Sequence, residues 1–250
     1  MKSHQKIMRE KIALQETESS LFGPYWQNID VDINKAELCQ VSIRSAKEII
    51  KKYEYLGTMC NAPMFAYGIH WDGQLAGVVV YGSPSPPIIA KSVVGEELKS
   101  KVIQLGRGAC VHWAHPHAGS KLIAYSLREI KKLGYKVVVA FTDPDAGEIG
   151  TLYQATNWLY AGLTAVRPDY IDANGKRVVG HFKKGQASKL IKVPRTRKGR
   201  YVYILGNKTD KKNYYNSLKW PIEQYPKRII NTTPKLQDSF DDSIDWDMYD

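Results

Sequence analysis

The segment that decides the fold reads KVIQLGRGACVHWAHPHAGSKLIAYSLREIKKLGYKVVVAF over residues 101–141. It begins with a mostly apolar run, Lys101–Trp113, which predicts a long central strand. After the loop His115–Ser120, the apolar residues of Lys121–Leu133 recur at helical spacing. Lys136–Phe141 then has the pattern of a buried strand. This order predicts an α/β sheet with crossover helices.

Elements on either side of this segment extend the same pattern. Asp72-Gly73 is a hairpin turn signal between two alternating runs. Ser45 and Glu48 have the spacing of a capping box, with Ser45 as the predicted N-cap. The other predicted elements are a helix, a β-hairpin, a short helix and a strand, at Ser45–Tyr55, Met64–Tyr81, Gly150–Asn157 and Trp158–Leu163.

The composition excludes several protein classes. With 250 residues, 43% hydrophobic and 11% aromatic, the chain can bury one sizeable core and is not wholly disordered. Its apolar runs are too short to span a bilayer, and the first twenty residues lack the apolar core of a secretory signal. Three cysteines without a C-x-x-C pair indicate neither a disulfide framework nor an all-cysteine zinc site, and fit a reducing cytosol.

The charge is unevenly distributed along the chain. The net charge is +11, and residues 181–230 alone, with 14 Lys/Arg against Asp210 and Glu223, carry a net +12. Basic density of this kind attracts polyanions, usually nucleic acid, although a merely soluble basic surface is the alternative. Aromatic residues interleave with these charges and could stack on bases. For Tyr201 and Tyr203, which alternate in an apolar run, packing against the core is the better interpretation.

The loop between the central strand and its helix is a candidate anion site. Exposed amides at a helix N-terminus bind phosphate, and Gly119 permits a close approach. His112, His115 and His117 form an H-x-x-H-x-H pattern that could hold a metal ion. We rank that reading below the phosphate loop because no second cluster of ligands is near in sequence. Surface imidazoles are the alternative for His115 and His117.

Three further polar residues are candidates for acid–base chemistry. Asp143 follows a buried strand, where sites of open α/β sheets gather, but it could instead form the turn before Pro144. Tyr153 could donate a proton or could be a core aromatic. Glu54 could be a general base or a ligand, and an exposed helix-end residue is the default interpretation.

Four segments together resemble the GNAT acyltransferase fold. They would be its central strand, pyrophosphate loop, next strand and closing helix–strand, at Gln104–Trp113, His115–Ser120, Val137–Gly147 and Thr151–Gly162. Within that fold the chain, from about Cys39 to Arg228, resembles the Mom family of bacteriophage DNA-modification proteins. Further matches to the family are Tyr53–Gly57, Ala66–Gly82, Arg195–Tyr203 and Tyr225–Lys227. The resemblance implies a GNAT-like central mixed β-sheet flanked by helices, with a basic C-terminal appendage.

The resemblance also implies a function and a site. The family adds a carbamoylmethyl (methylcarbamoyl) group to N6 of adenine, which protects phage DNA from host restriction. The implied catalytic residues are Glu54, Tyr55, Asp143, Tyr153 and Ser120, with Tyr67 as a lesser candidate. Acetyl-CoA or a related acyl donor would bind the loop through His115, His117, Ala118, Gly119, Ser120 and Lys121. The family acts in the host bacterial cytoplasm. A homodimer is a further expectation for the chain.

The implied chemistry leaves the group donor and the metal open. Acyl transfer from acetyl-CoA would give N6-acetyladenine, whereas the carbamoylmethyl product needs a redox or metal-assisted step, or a glycinamide-like donor. Glu54, Tyr55, Asp143 and Tyr153 would be an oxygen-rich set suited to iron. The family has His before the Tyr where this chain has Glu54, which puts an iron role in doubt. A plain acyltransferase site uses similar residues for proton transfer.

Double-stranded DNA is the implied partner, and no membrane is. N6 takes part in base pairing, so the target adenine is expected to be flipped out of the duplex. Trp113, Trp158 or Tyr67 could stack on it, although core packing is favoured for Trp158. The residues expected to hold the phosphates are Lys183, Lys184, Arg195, Arg197, Lys198 and Arg200.

The expected organisation has four parts. They are an N-terminal extension, a catalytic domain, a basic DNA-binding appendage packed on the core and an acidic tail expected to be disordered, at residues 1–30, 31–182, 183–234 and 235–250. Two other functions stay open. One is an ordinary N-acetyltransferase acting on a protein, RNA or small amine, and the other is a non-catalytic nucleic-acid-binding protein.

Overall fold

The strands around the central segment form one mixed sheet. The computed structural model describes residues 3–20, 24–166, 168–175, 190–194 and 196–227. The strands in this part of the chain are β1 Glu37–Val41, β2 Pro63–Trp71, β3 Gln74–Gly82, β4 Val102–Cys110, β5 Val137–Thr142, β6 Leu159–Leu163, β7 Pro168–Ile171, β8 Ile191–Pro194 and β9 Gly199–Ile204. Seven of them pair in the order β1-β2-β3-β4-β5-β9-β6, and β7 pairs with β8.

Helices cover both faces of the sheet. The described helices are α1 His4–Glu18, α2 Ile43–Tyr53, α3 Ile88–Val94, α4 Ala118–Lys132, α5 Thr151–Ala155 and α6 Lys208–Ser217. On one face α2 and α4 bury Ile50 and Ile123, and on the other face α3 buries Val93. The predicted α/β architecture, a central mixed sheet flanked by helices, is confirmed. Among the described helices, none has both the length and the apolar character needed to cross a bilayer.

The two central strands separate partway along their length. All neighbours in the large sheet are antiparallel except β4 and β5, which are parallel. Their ladder joins Val102–Gln104 to Val137–Val139, whereas β4 continues to Cys110. The edge of β4 beyond Gln104 therefore faces an opening instead of a neighbouring strand.

The basic C-terminal region contributes a strand to the sheet itself. β9 lies between β5 and β6, although residues 199–204 fall within the predicted appendage 183–234. Tyr201 and Val202 are fully buried, so this strand is held by the same core as its neighbours. The predicted boundary at residue 182 therefore does not separate two units of the sheet. The acidic tail 235–250 lies outside the described residues.

The local predictions differ from the structure at one helix start. The hairpin forms as predicted, and Asp72 and Gly73 both have positive φ, at 48° and 71°, as a type I′ turn requires. Helix α2 begins three residues before the predicted cap: Ser42, not Ser45, is its N-cap and accepts a hydrogen bond from the Ser45 amide at 3.0 Å. The added turn lets Ile43 pack against the core.

Candidate active site

A cavity of about 710 Å³ opens where β4 and β5 separate. Its walls come from the edge of β4, the loop after β5, the first turn of α5 and helix α1. Four of the predicted catalytic residues line it: Glu54, Tyr55, Asp143 and Tyr153. The structure therefore brings together residues from the end of α2, the end of β5 and helix α5, as the strand-end prediction required.

Asp143 is the most highly connected group in the cavity. Its Oδ2 accepts hydrogen bonds from the Tyr55 hydroxyl at 3.2 Å and from the Lys198 ammonium. Its Oδ1 accepts from the Asp145 amide at 3.2 Å, so the predicted turn-forming role is also present. Burial raises the pKa of Asp143, but the Lys198 ammonium and these hydrogen bonds outweigh it, and the pKa lies below its ordinary value. The carboxylate is therefore ionised at neutral pH.

Glu54 differs from the exposed helix-end residue expected from its position. It follows the last residue of α2 and is buried. Its Oε2 accepts a hydrogen bond from the Leu56 amide at 3.0 Å and lies 3.9 Å from Arg107 Nε. Burial raises the pKa of Glu54, although Arg107 and two backbone amides oppose the shift. Of these two carboxyl groups, Asp143 and Glu54, Glu54 is the better proton acceptor.

The two tyrosines in the cavity are phenols and not phenolates. Burial raises the pKa of Tyr55, and the neighbouring Asp143 raises it further. Burial also raises the pKa of Tyr153, whose ring packs against Trp158 and Tyr201 at centroid distances of 4.9 and 5.1 Å. Tyr153 thus combines the two predicted roles, because it packs on the core and also lines the cavity. Both hydroxyls can donate hydrogen bonds.

Two basic residues of the site escaped prediction. Arg107 lines the cavity from β4 and donates from Nε to the Thr58 carbonyl at 2.7 Å. It is the one charged residue of β4, a signal that the sequence did carry. Lys198 was assigned to DNA contacts, but its ammonium binds Asp143. That placement depends on β9 lying beside β5, which the order of elements along the chain does not reveal.

Helix α1 forms the roof of the cavity. Gln5 donates from Nε2 to the Gly108 carbonyl at 3.2 Å, and Arg9 donates from Nη2 to the His112 carbonyl at 3.3 Å. The His4 amide donates to the Ala146 carbonyl at 3.0 Å. These contacts join the β4 side of the opening to the β5 side. The segment predicted as an N-terminal extension is therefore part of the wall of the site.

The predicted phosphate loop is divided between two cavities. His115 and Gly119 line the large cavity, whereas His117, Ser120 and Lys121 line a second groove of about 580 Å³. Ala118 is buried. Above Gly119, an added Cβ would lie 3.1 Å from Leu152, so the close neighbour that requires glycine here is a side chain of the protein.

Two of the predicted catalytic residues do not line the large cavity. Ser120 Oγ donates to the His117 carbonyl at 3.0 Å and belongs to the second groove. Tyr67 is buried in the core, where its ring meets those of Tyr81 and Tyr125 at about 6 Å, and burial raises its pKa to about 12. Trp158 is fully buried, as favoured for that residue.

The predicted metal readings do not fit the geometry. His112 is surrounded by Tyr53, Trp26 and Glu16, while the rings of His115 and His117 face each other at 5.3 Å. The described residues contain no group of three or more His, Cys, Asp or Glu side chains able to share an ion.

The set proposed for iron has a further difficulty. Asp143 is paired with Lys198, and Glu54 faces Arg107. A cation already balances each carboxylate, and both tyrosines keep their protons. An iron ion held by Glu54, Tyr55, Asp143 and Tyr153 would therefore have to compete with Lys198 and Arg107 for its carboxylate ligands.

The predicted DNA-binding residues that the structure describes are engaged within the protein. Arg197 donates from Nε to the Thr164 carbonyl at 2.7 Å, and Arg200 stacks over Trp220 at 4.7 Å. With Lys198 bound to Asp143, all three of the described residues in the set have internal partners. Lys183, Lys184 and Arg195 lie outside the described residues.

The chain is similar to one protein family and to several solved structures. The model of the Mom protein family matches residues 35–227, whereas no curated protein matches the chain.

The similar structures share the outline of the fold at low identity. One is an IAA acetyltransferase from Bacillus cereus, with 14% identity, a TM-score of 0.38, and an alignment that covers 68% of this chain and 99% of that chain. The ribosomal-protein-S18-alanine N-acetyltransferase from Escherichia coli has 8% identity, a TM-score of 0.38, and coverage of 69% of this chain and 97% of that chain. A Bacillus subtilis acetyltransferase in complex with CoA has 16% identity, a TM-score of 0.36, and coverage of 69% of this chain and 99% of that chain.

Proposed function

Because the chain belongs to the Mom protein family of bacteriophage DNA-modification proteins, we propose that it adds a carbamoylmethyl group to N6 of adenine in phage DNA. One observation carries the proposal beyond the family. Two carboxyl groups, Asp143 and Glu54, line one cavity and have their pKa values displaced in opposite directions. Such pairs are typical of sites that move a proton. The modification would protect the DNA from host restriction in the bacterial cytoplasm.

The product defines what the protein has to do. One hydrogen of the N6 amine is replaced by CH2–C(O)NH2. The N6 lone pair forms a bond to the methylene carbon of a carboxamide donor, the bond from that carbon to its leaving group breaks, and the leaving group departs with the electron pair. N6 then releases one proton. The site must therefore bind a carboxamide, hold the amine and accept that proton.

The residues of the cavity divide these tasks. Glu54 accepts the proton, because its raised pKa makes it the stronger base of the two carboxyl groups. Asp143, kept ionised by Lys198, accepts a hydrogen bond from the N6 amine and orients it. Tyr55 and Tyr153 are phenols that can donate hydrogen bonds to the donor or to its leaving group.

The edge of β4 offers a place for the amide of a donor. The Gly108 carbonyl faces the opening and already accepts a hydrogen bond from the Gln5 side chain. Since that side chain ends in CH2–C(O)NH2, a carboxamide fits this position. His115 and Gly119 at the start of α4 would hold the leaving-group part of such a carboxamide donor.

The size of the cavity suits an extruded base together with a small group. A volume of about 710 Å³ lies within the usual range for ligand sites, roughly 300–1,000 Å³. Because N6 is hydrogen-bonded in a base pair, the adenine must leave the duplex to reach Glu54 and Asp143.

The proposal is tested by mass spectrometry of nucleosides from the DNA of bacteria that express the chain. Wild type is expected to yield carbamoylmethyladenine, and Asp143→Ala to lower the yield by about 100-fold, because the variant loses the group that orients the reacting amine. Asp145→Ala is the matched control, because Asp145 is exposed and lies two residues away on the same loop. That variant should modify DNA like the wild type.

Other products would point to other functions. N6-acetyladenine would show ordinary acyl transfer, and unmodified DNA beside abundant folded protein would overturn the proposed modification. Normal modification by Asp143→Ala would remove Asp143 from the reaction while leaving the function standing.

A further inference from the structure

A groove of about 580 Å³ runs between α4, α5 and the end of β9. Four of its fifteen lining residues are basic: Lys121, Arg128, Lys131 and Lys211. None of the fifteen is Asp or Glu. A concave surface with this composition is a site for anions.

The outermost charges of this groove form no ion pair with the part of the chain that the structure describes. Arg128, Lys131 and Lys211 are exposed, and no ion pair to any of them occurs among residues 3–20, 24–166, 168–175, 190–194 and 196–227. The carboxylates beside them in sequence are used elsewhere. Glu129 pairs with Lys132 at 2.7 Å, and Asp210 pairs with Lys136 at 3.1 Å.

The basic residues of the groove differ from those that the sequence analysis predicted to contact DNA. Arg197, Lys198 and Arg200 each bind a group of the protein, so phosphate contacts would have to compete with those bonds. Arg128, Lys131 and Lys211 face no such competition in the described chain. The groove is thus better prepared for a phosphodiester backbone.

The position of the groove relates it to the active site. His117 and Ser120 line the groove, and His115 and Gly119, one or two residues away along the chain, line the large cavity. From Ser120 to Lys131, α4 extends about 16 Å at 1.5 Å per residue. One strand of duplex DNA advances about 3.4 Å per nucleotide, so the groove matches about five phosphates.

We infer that this groove, through Arg128, Lys131 and Lys211, holds the sugar–phosphate backbone of the duplex DNA substrate beside the cavity. The inference rests on the proposed function for the identity of the substrate. Asn157, exposed at the floor of the groove, supplies an amide that can donate to a phosphate oxygen.

The test compares two triple variants of the full chain by fluorescence anisotropy with a 30-base-pair duplex across a salt series. Arg128→Gln/Lys131→Gln/Lys211→Gln should bind DNA about 10- to 100-fold more weakly near 0.1 M salt, with the slope of log affinity against log salt reduced by up to about 2.7. Lys47→Gln/Lys91→Gln/Lys99→Gln removes the same charge from other elements and should bind nearly as the wild type.

Three controls accompany this comparison. Because cations in the last turns of α4 also favour the helix dipole, thermal melting checks that the variants fold. The charge-preserving Arg128→Lys/Lys131→Arg/Lys211→Arg variant should retain the wild-type salt slope. Coenzyme A is titrated into all variants, since the phosphates of a donor are the other anions that could enter the groove.

The outcomes separate the groove from the function. An unchanged slope, an equal loss in both glutamine triples, or a loss confined to coenzyme A would overturn the groove as a DNA site. Failure of the wild type to bind any duplex would overturn the proposed function, and the groove inference with it.

Discussion

The floor and the roof of the cavity are held in place by different kinds of contact. The floor is the sheet, where Ile103 and Val138 are fully buried and the strands β3 to β6 share one core. The roof is α1, fifteen residues of which none is buried, held mainly by polar side chains on main-chain carbonyls. The floor therefore fixes the positions of the reacting groups, whereas the roof has little apolar contact to lose when it moves.

The largest expected difference between the roof and the floor is in the rates of amide hydrogen exchange. Elements with few buried contacts open at a small free-energy cost, while core strands open only with global unfolding. We expect amides of α1 to exchange several orders of magnitude faster than those of β5. The measurement is native-state exchange followed by mass spectrometry. Equal protection in the two elements would show that the roof is as firmly held as the floor.

Substitutions in the floor should lower the free energy of unfolding more than substitutions in the roof. Trp158 is fully buried beneath Tyr153 and Tyr203, so Trp158→Ala should lower the free energy of unfolding by about 3–5 kcal/mol. The double variant Gln5→Ala/Arg9→Ala removes two of the roof's bonds to carbonyls and should cost about 1–2 kcal/mol or less. Urea denaturation compares them, and a roof variant as unstable as Trp158→Ala would contradict the distinction.

The same contrast explains what the sequence could predict. Apolar periodicity identified β4, α4 and β5 because burial in the floor imposes it, and Asp143 could be placed at the end of β5. Glu54 could likewise be placed at the end of α2. The positions of Lys198 and α1 at the cavity could not be predicted, for a physical reason. Lys198 reaches Asp143 only because β9 inserts between β5 and β6, and α1 covers the cavity through polar contacts that leave no apolar pattern.

The smallest expected effect is a change in the pKa of Asp143, whose carboxylate binds the Lys198 ammonium. Removing the Lys198 ammonium should raise the pKa of Asp143, since burial, which raises it, would then be less opposed. If modification requires ionised Asp143, the acid limb of its pH–rate profile should move to higher pH in Lys198→Met and stay near the wild-type position in Lys198→Arg.

The sign of the linked change in stability follows from the same pKa. A carboxyl group whose pKa is depressed on folding stabilises the protein above its unfolded pKa of about 3.9 and loses that contribution as the pH falls through the folded value. Lys198→Met should reduce or reverse the contribution in that acid range. Arg197→Met, next to it but bonded to Thr164 instead, is the matched control. An acid limb that does not move in Lys198→Met would show that Asp143 is held ionised by its hydrogen bonds from Tyr55 and Asp145 alone.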